Sequence, residues 1–429
     1  MKKLIIRGGN KLNGTIKVSG AKNAALPLMV SSILTEGRLT LTNIPHVSDI
    51  ATMANLLENL GVEIGLDGTD DDLGHQGRVI YFKSSKNTIN PVAPYDLVRK
   101  MRASIVILGP LLARFKEAKV SLPGGCAIGT RPVDLHLKAL EKMGAEIQLK
   151  NGYIDAKAKN GLFGCEIEFE KVSVGATENI MMAATIAKGQ TIIKNAACEP
   201  EIIDLAKCLN AMGADVKGAG TDKIIINGVQ KLHGTKHEII ADRIEAGTYM
   251  IAVGMTGGKI KLTNINSSII EGFKGKLEQS GIDINILNNN EIEIIKNDDI
   301  IKPVNISTQP FPGFPTDMQA QFMALMTIAQ GSSKIEENIF ENRFMHVLEL
   351  VRMGANIESH GNTAIIKGVK NLNGAEVMAT DLRASVSLVL AGLAANGQTI
   401  INRLYHLERG YERIAEKLVQ CGADITIEY

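Results

Sequence analysis

The chain repeats itself six times. A short phrase recurs as LGVEI from residue 60, MGAEI from 143, MGADV from 212, SGIDI from 280, MGANI from 353 and CGADI from 421. Its glycines are Gly61, Gly144, Gly213, Gly281, Gly354 and Gly422, separated by 83, 69, 68, 73 and 68 residues. Each phrase closes a segment such as IATMANLLENLG or YERIAEKLVQCG, with apolar residues at i, i+3, i+4 and i+7. That spacing predicts an outer amphipathic helix, with the glycine at its C-terminal cap. Alternating residues follow, as in ADITIEY, and predict a strand. Upstream of each phrase lies a second segment, for example TENIMMAATIAKG or ASVSLVLAGLAANG, that is apolar nearly all round. Such a helix belongs inside a domain. The unit therefore reads strand, buried helix, strand, outer helix, strand and often one more strand, a βαβαββ-like pattern. Six of these exceed one core, so three per lobe is expected. The crossover is expected near residues 228–243, with helices inside, sheets outside and a cleft between two similar lobes. A solenoid of interchangeable repeats would carry interchangeable loops, and the loops differ.

The loops ahead of the buried helices hold the chemistry. The first has Lys22 and Asn23, the second Arg99 and Arg102, the third Lys171 and Ser173. The fourth has Arg243, the fifth Asp317, the sixth Asp381 and Arg383. All stand where helix N-termini are expected, and such ends favour anions because their N–H groups are unpaired. A second kind of loop lies between strand and outer helix. From strand residue to glycine it runs 20 residues for Leu41 to Gly61, 20 for Ile193 to Gly213 and 19 for Leu262 to Gly281. Leu122 to Gly144 takes 22, and the additional length is in LPGGCAIGTRP, residues 122–132. This stretch holds Cys126 and Arg131. Gly124 and Gly129 have P-loop spacing, but Thr130-Arg131 follows where Lys-Ser/Thr is required, which excludes a nucleoside triphosphatase.

Composition narrows the partners. Net charge is +1 with 22% charged residues, so no global field draws the chain to nucleic acid or anionic lipid. Trp is absent and aromatics are 4%, which disfavours base-stacking platforms. Five cysteines without a CxxC pair argue against a disulfide framework or zinc site and for a reducing compartment. MKKLIIRGGNKLNG is too short in apolar residues for a signal peptide, and no apolar run approaches a membrane span. A cytoplasmic protein is expected, and any basic site in it must be local. His136 and His346 stand singly on helices, so no metal site is expected. The acidic stretch GTDDDLGHQG, residues 68–77, reads as a solvated hairpin loop.

SGAKNAALP, LPGGCAIGTRPVDLHLKALEKMGA, FPTDMQAQFMA, ATDLRASVSLVLAG and LERGYERI together resemble the UDP-N-acetylglucosamine 1-carboxyvinyltransferases, from end to end. The resemblance implies a two-domain inside-out α/β barrel. It implies an N-terminal lobe of residues 22–235, and a second lobe of 1–21 with 236–429, since the family's first strand belongs to the C-terminal lobe. The reaction implied is transfer of enolpyruvate from phosphoenolpyruvate to the 3′-hydroxyl of UDP-N-acetylglucosamine with release of phosphate. By resemblance, Cys126 is the general acid, able to form a covalent adduct, on a mobile loop. Lys22, Arg131 and Arg409 resemble the phosphoenolpyruvate clamp. Asp317 matches the base at the 3′-hydroxyl, and Asp381 a second carboxylate. Arg102, the run Arg131, Pro132, Val133, Asp134 and Leu135, the run Lys171, Val172, Ser173 and Val174, and Ile339 correspond to nucleotide-sugar contacts. Asn23 and Arg343 resemble further cleft residues. No metal or organic cofactor is implied, and no nucleic-acid or membrane partner. Enolpyruvylshikimate-phosphate synthases share the fold and donor but lack this cysteine loop. A non-enzymatic paralogue would be expected to lose Lys22, Cys126 or Asp317, and all three are present.

Overall fold

A computed structural model describes residues 2–69, 77–123, 133–297 and 300–429. The described chain divides into two compact units. One takes the described residues between Gly20 and Ile240; the other takes those up to Ser19 together with the described residues of Ala241–Tyr429.

Each unit is built from three four-stranded sheets of a single pattern. A short strand before the buried helix pairs in parallel with the strand after it, and two further strands complete the sheet in antiparallel fashion. In the Gly20–Ile240 unit the parallel pairs are Lys236–Glu238 with Leu39–Ile44, Val92–Ala93 with Glu117–Ser121, and Glu166–Glu168 with Gln190–Lys194. In the other unit they are Leu12–Lys17 with Gly258–Thr263, Ile306–Ser307 with Ser332–Glu336, and Glu376–Met378 with Gln398–Asn402. The expected βαβαββ order runs continuously along the chain in the second, third and fifth sheets, and the first, fourth and sixth each take one strand from a distant part of the chain.

Three strands are supplied from elsewhere in the chain. Lys3–Arg7 is an inner strand of the sixth sheet and pairs antiparallel with both Gln398–Asn402 and Asp424–Glu428. Leu12–Lys17 opens the fourth sheet. Lys236–Glu238 opens the first, which keeps residues 236–240 in the Gly20 unit and moves the changeover past the expected 235/236 border.

The repeated glycine has one physical cause. All six adopt φ between 92° and 100°. The residue after each glycine donates its N–H to the carbonyl five residues back, as in Val62 to Leu57 (2.9 Å) and Ala214 to Leu209 (3.0 Å). This is the Schellman closure, and its left-handed residue suits glycine because no Cβ opposes it.

The buried helices fill the middle of each unit. Leu28, Met29, Leu111, Leu112, Met181 and Met182 belong to one core; Met250, Ile251, Phe322, Met323, Leu388 and Val389 belong to the other. Two of these helices start differently from the periodicity. Residues 102–107 form a 3-10 turn before Leu108–Phe115, so Pro110 falls in the first α-turn, where its missing N–H costs nothing. Thr316–Met318 is likewise a 3-10 turn before Gln319–Met326. Among the described residues, no helix is long and apolar enough to cross a membrane.

Candidate active site

Asp317 is the centre of the site in the Ala241–Tyr429 unit. It sits in the 3-10 turn after Pro315, at the entry to a buried helix. Arg343 Nη2 donates to Asp317 Oδ1 at 2.7 Å, and Arg383 Nη2 donates to Oδ2 at 2.8 Å. Both guanidinium groups are buried, at 6% and 5% side-chain exposure, while Asp317 is 26% exposed. Burial would raise the Asp317 pKa, but the charges and hydrogen bonds of Arg383 and Arg343 outweigh it and hold the carboxyl well below the usual range.

Both arginines are themselves held. Arg383 Nη1 donates to the Tyr411 hydroxyl at 3.2 Å, which also meets Thr248 Oγ1 at 3.0 Å and Gln321 Nε2 at 3.1 Å. Arg343 Nη1 donates to Thr316 Oγ1 at 2.8 Å, and Thr316 Oγ1 donates to Glu337 Oε2 at 2.8 Å. Glu337 Oε1 accepts the backbone N–H groups of Ile339 (2.9 Å) and Phe340 (3.1 Å).

Asp381 caps the helix Leu382–Ala394, accepting from the N–H groups of Arg383 and Ala384 at 2.8 and 3.1 Å. His346 is buried beside it. Burial, helped by Arg343 and opposed by Asp381, lowers the His346 pKa to about 4. Arg409 is half-buried at the end of the turn Leu404–Arg409. Burial lowers the His406 pKa, Arg409 lowers it further and Asp381 opposes, so Arg409 and Asp381 act on one neighbourhood. Hydrogen bonds therefore link Asp317, Arg343 and Ile339, and Asp381 and Arg409 lie in the same unit, near His346 and His406.

The Gly20–Ile240 unit has its own cationic helix entries. Lys22 begins the helix Lys22–Ser31, and its ammonium donates to Asp49 Oδ2 at 3.0 Å, with side-chain exposures of 11% and 5%. Asn23 follows in the first turn of the same helix. Arg102 opens the next buried segment, which packs against the Lys22 helix. Ser173 caps Val174–Ala184, its Oγ accepting from Ala176 N at 3.3 Å. Lys171 is exposed ahead of that cap, and Val172 and Val174 are half-buried. Val133, Asp134 and Leu135 enter the outer helix Asp134–Lys142, where Asp134 lies 3.9 Å from Lys138.

His136 joins these segments. Asn179 Nδ2 meets its Nδ1 at 2.9 Å, while Asn179 Oδ1 accepts from Gly109 N at 2.8 Å. That fixes the amide, makes Nδ1 the acceptor and leaves the proton on Nε2. A Cβ on Gly175 would lie 3.6 Å from the His136 ring, so the ring rests on the start of the Ser173-capped helix. Burial and the Arg102 charge lower its pKa to about 4.

Cys126, Arg131 and Pro132 lie outside the described residues, as do residues 70–76 of the acidic stretch. Sequence reasoning missed Asp49, His136, His346, Glu337, Thr316 and Tyr411 as site neighbours. Asp49 reads in sequence as a helix-dipole residue, and Glu337 as the polar end of a strand. Nothing in their spacing links them to Lys22 or Asp317.

The architecture is that of the enolpyruvyl transferases. The enolpyruvyl transferase NikO from Streptomyces tendae superposes with a TM-score of 0.88 at 23% identity, covering 100% of this chain and 99% of that one. An EPSP synthase from Acinetobacter baumannii superposes with a TM-score of 0.73 at 20% identity, over 100% of both chains. The sequence model of EPSP synthase (3-phosphoshikimate 1-carboxyvinyltransferase) matches residues 6–418. UDP-N-acetylglucosamine 1-carboxyvinyltransferases from Brucella ovis and Brucella abortus are 57% identical over 426 residues, 99% of either chain. The chain belongs to the EPSP synthase family and, within it, to the UDP-N-acetylglucosamine 1-carboxyvinyltransferases.

Proposed function

We propose that this enzyme transfers enolpyruvate from phosphoenolpyruvate to the 3′-hydroxyl of UDP-N-acetylglucosamine, releasing phosphate, as the first committed step of peptidoglycan synthesis. The observation that carries the reading is 57% identity over 99% of the chain to carboxyvinyltransferases that use this acceptor by name. Both substrates are small, soluble anions, and we place the enzyme in the cytoplasm with them.

The chemistry adds a proton to C3 of phosphoenolpyruvate and the sugar hydroxyl oxygen to C2, with loss of the hydroxyl proton; phosphate then leaves C2 as a proton leaves C3, which restores the double bond. Cys126 gives the proton to C3 and can bond to C2 in its place. Lys22, Arg131 and Arg409 hold the donor's phosphate and carboxylate, groups that arginine forks match. Asp317 receives the 3′-hydroxyl. Its arginine partners keep it ionised, so it is always ready to accept a hydrogen bond. They also make it a weak base, which suffices here: once the hydroxyl oxygen bonds to an electron-poor C2, its proton becomes strongly acidic. Asp381 provides a second negative charge beside the reacting centre. Arg102, Pro132, Val133, Asp134, Leu135, Lys171, Val172, Ser173, Val174 and Ile339 bind the nucleotide sugar, with Asn23 and Arg343 completing the polar surface.

The test is phosphate release from phosphoenolpyruvate by purified, reduced protein, with UDP-N-acetylglucosamine and shikimate 3-phosphate as competing acceptors. Release is expected only with the nucleotide sugar. Release that requires shikimate 3-phosphate, or none with either acceptor, overturns the assignment.

A further inference from the structure

Between the candidate acceptor contact Ile339 and the candidate base Asp317 runs an unbroken hydrogen-bonded chain. Glu337 accepts the Ile339 and Phe340 amides on one oxygen and the Thr316 hydroxyl on the other. Thr316 has a single proton to give, and it goes to Glu337; its lone pair then accepts Arg343 Nη1. The other nitrogen of the same guanidinium holds Asp317. Arg343 Cζ also lies 5.1 Å from the centre of the Phe340 ring, so the amide-bearing segment and the guanidinium meet a second time. Glu337 is 3% exposed. A carboxylate so buried is costly unless hydrogen-bonded, and three donors satisfy it here.

We propose that Glu337 is a positioning residue that, through Thr316 and Arg343, ties the Ile339 segment to the Asp317 carboxylate, so that acceptor sugar and base are held in one register. It touches no reacting atom. The order of donors fixes the geometry: Arg343 points into Thr316 only while the Thr316 proton points into Glu337. The alternative role, a simple cap on the turn after Ser332–Glu336, would make Thr316 irrelevant.

The proposal rests on Asp317 facing the 3′-hydroxyl. Two near-isosteric substitutions test it in the full-length enzyme. Glu337→Gln keeps an oxygen for the two amides but turns an NH2 group toward Thr316. Thr316→Val removes the hydroxyl and leaves the cap untouched. Each is expected to raise KM for UDP-N-acetylglucosamine roughly tenfold, the scale of one lost hydrogen bond, with KM for phosphoenolpyruvate within about twofold. Thr316→Ser is expected to restore the wild-type values. The double variant should be no worse than either single one, because both break one relay. The acid limb of kcat/KM should move to higher pH in both single variants, since a loosened Arg343 holds Asp317 less firmly. The other groups in that setting are Arg383 on Asp317, Tyr411 and Asp242 around Arg383, and His346 beside Arg343. A Thr316→Val enzyme with wild-type acceptor KM and acid limb overturns the proposal, whatever its thermal midpoint. Wild-type enzyme that ignores UDP-N-acetylglucosamine would instead sink the functional reading.

Discussion

At the scale of single residues, burial decides what a titratable group can do. His136 and His346 are both held to a pKa of about 4, against 6.5 for the free side chain. The folded state therefore prefers the neutral ring. Between pH 6.5 and 4 the unfolded chain binds more protons, so this stability is complete above 6.5 and is lost as pH falls toward 4. The loss for His136 alone amounts to about 3 kcal/mol by pH 4. His136→Gln keeps an oxygen for Asn179 and has no proton to gain. Its urea midpoint is expected to fall less than that of wild type between pH 7 and 4.5. Equal falls would show that His136 charges freely in the fold. Neither histidine could be assigned from sequence, because each is an ordinary helical residue until its neighbours from other repeats are known. Asp317 stands out in the sequence through its FPTD motif. Its clamping by two arginines does not, because Arg343 and Arg383 are 26 and 66 residues away.

At the scale of elements, the two kinds of glycine separate local from tertiary demands. Gly213, like its five siblings, is needed by its own helix end, with φ at 97°. The sequence showed this through repetition. Gly109 sits inside Leu108–Phe115, where helix propensity alone favours alanine by about 1 kcal/mol. A Cβ there would come within 2.5 Å of Asn179 Oδ1 and 2.6 Å of the Asn179 carbonyl oxygen. Gly109→Ala is therefore expected to destabilise by about 2 kcal/mol or more, since a backbone carbonyl cannot step aside. At Gly254 the nearest atom, Ile282 Cδ1 at 2.4 Å, is the end of a flexible side chain. Gly254→Ala should cost less. Denaturant midpoints of the two variants check the order, and the reverse order would reject close backbone approach as the reason for Gly109. The outer helix ends and the strand that follows each were legible as local patterns. The 3-10 entries were not, because over so few residues a 3-10 turn and an α-turn carry the same apolar pattern, and MRASIVILGPLLARF reads as one helix.

At the scale of the whole molecule, the chain's ends are structural parts. Lys3–Arg7 is hydrogen-bonded on both sides in the sixth sheet, and Lys2 Nζ lies 5.3 Å from the centre of the Tyr429 ring. Removing residues 1–8 would leave two strands of that sheet without their common partner. The truncated chain is expected to lose cooperative unfolding and soluble expression. A circular permutant that joins Tyr429 to Lys2 by a short linker, with new ends in the turn between Asn288 and Glu291, should fold with a thermal midpoint within a few degrees of wild type. The contrast separates the need for the strand from the need for its place in the chain; a truncation that melts like wild type would refute it. Local patterning by itself determined the six units, their helix ends, which helices are buried and which loops carry charge, because each rests on residues within one turn or one pleat of each other. Motif resemblance added the reaction class. The resemblance also placed the first strand with the C-terminal lobe; only the tertiary structure decided the register in which that strand pairs, that Lys236–Glu238 returns to the first sheet, and which side chains stand behind Asp317 and His136. Those choices depend on hydrogen bonds and ion pairs across tens to hundreds of residues, and no local period encodes them.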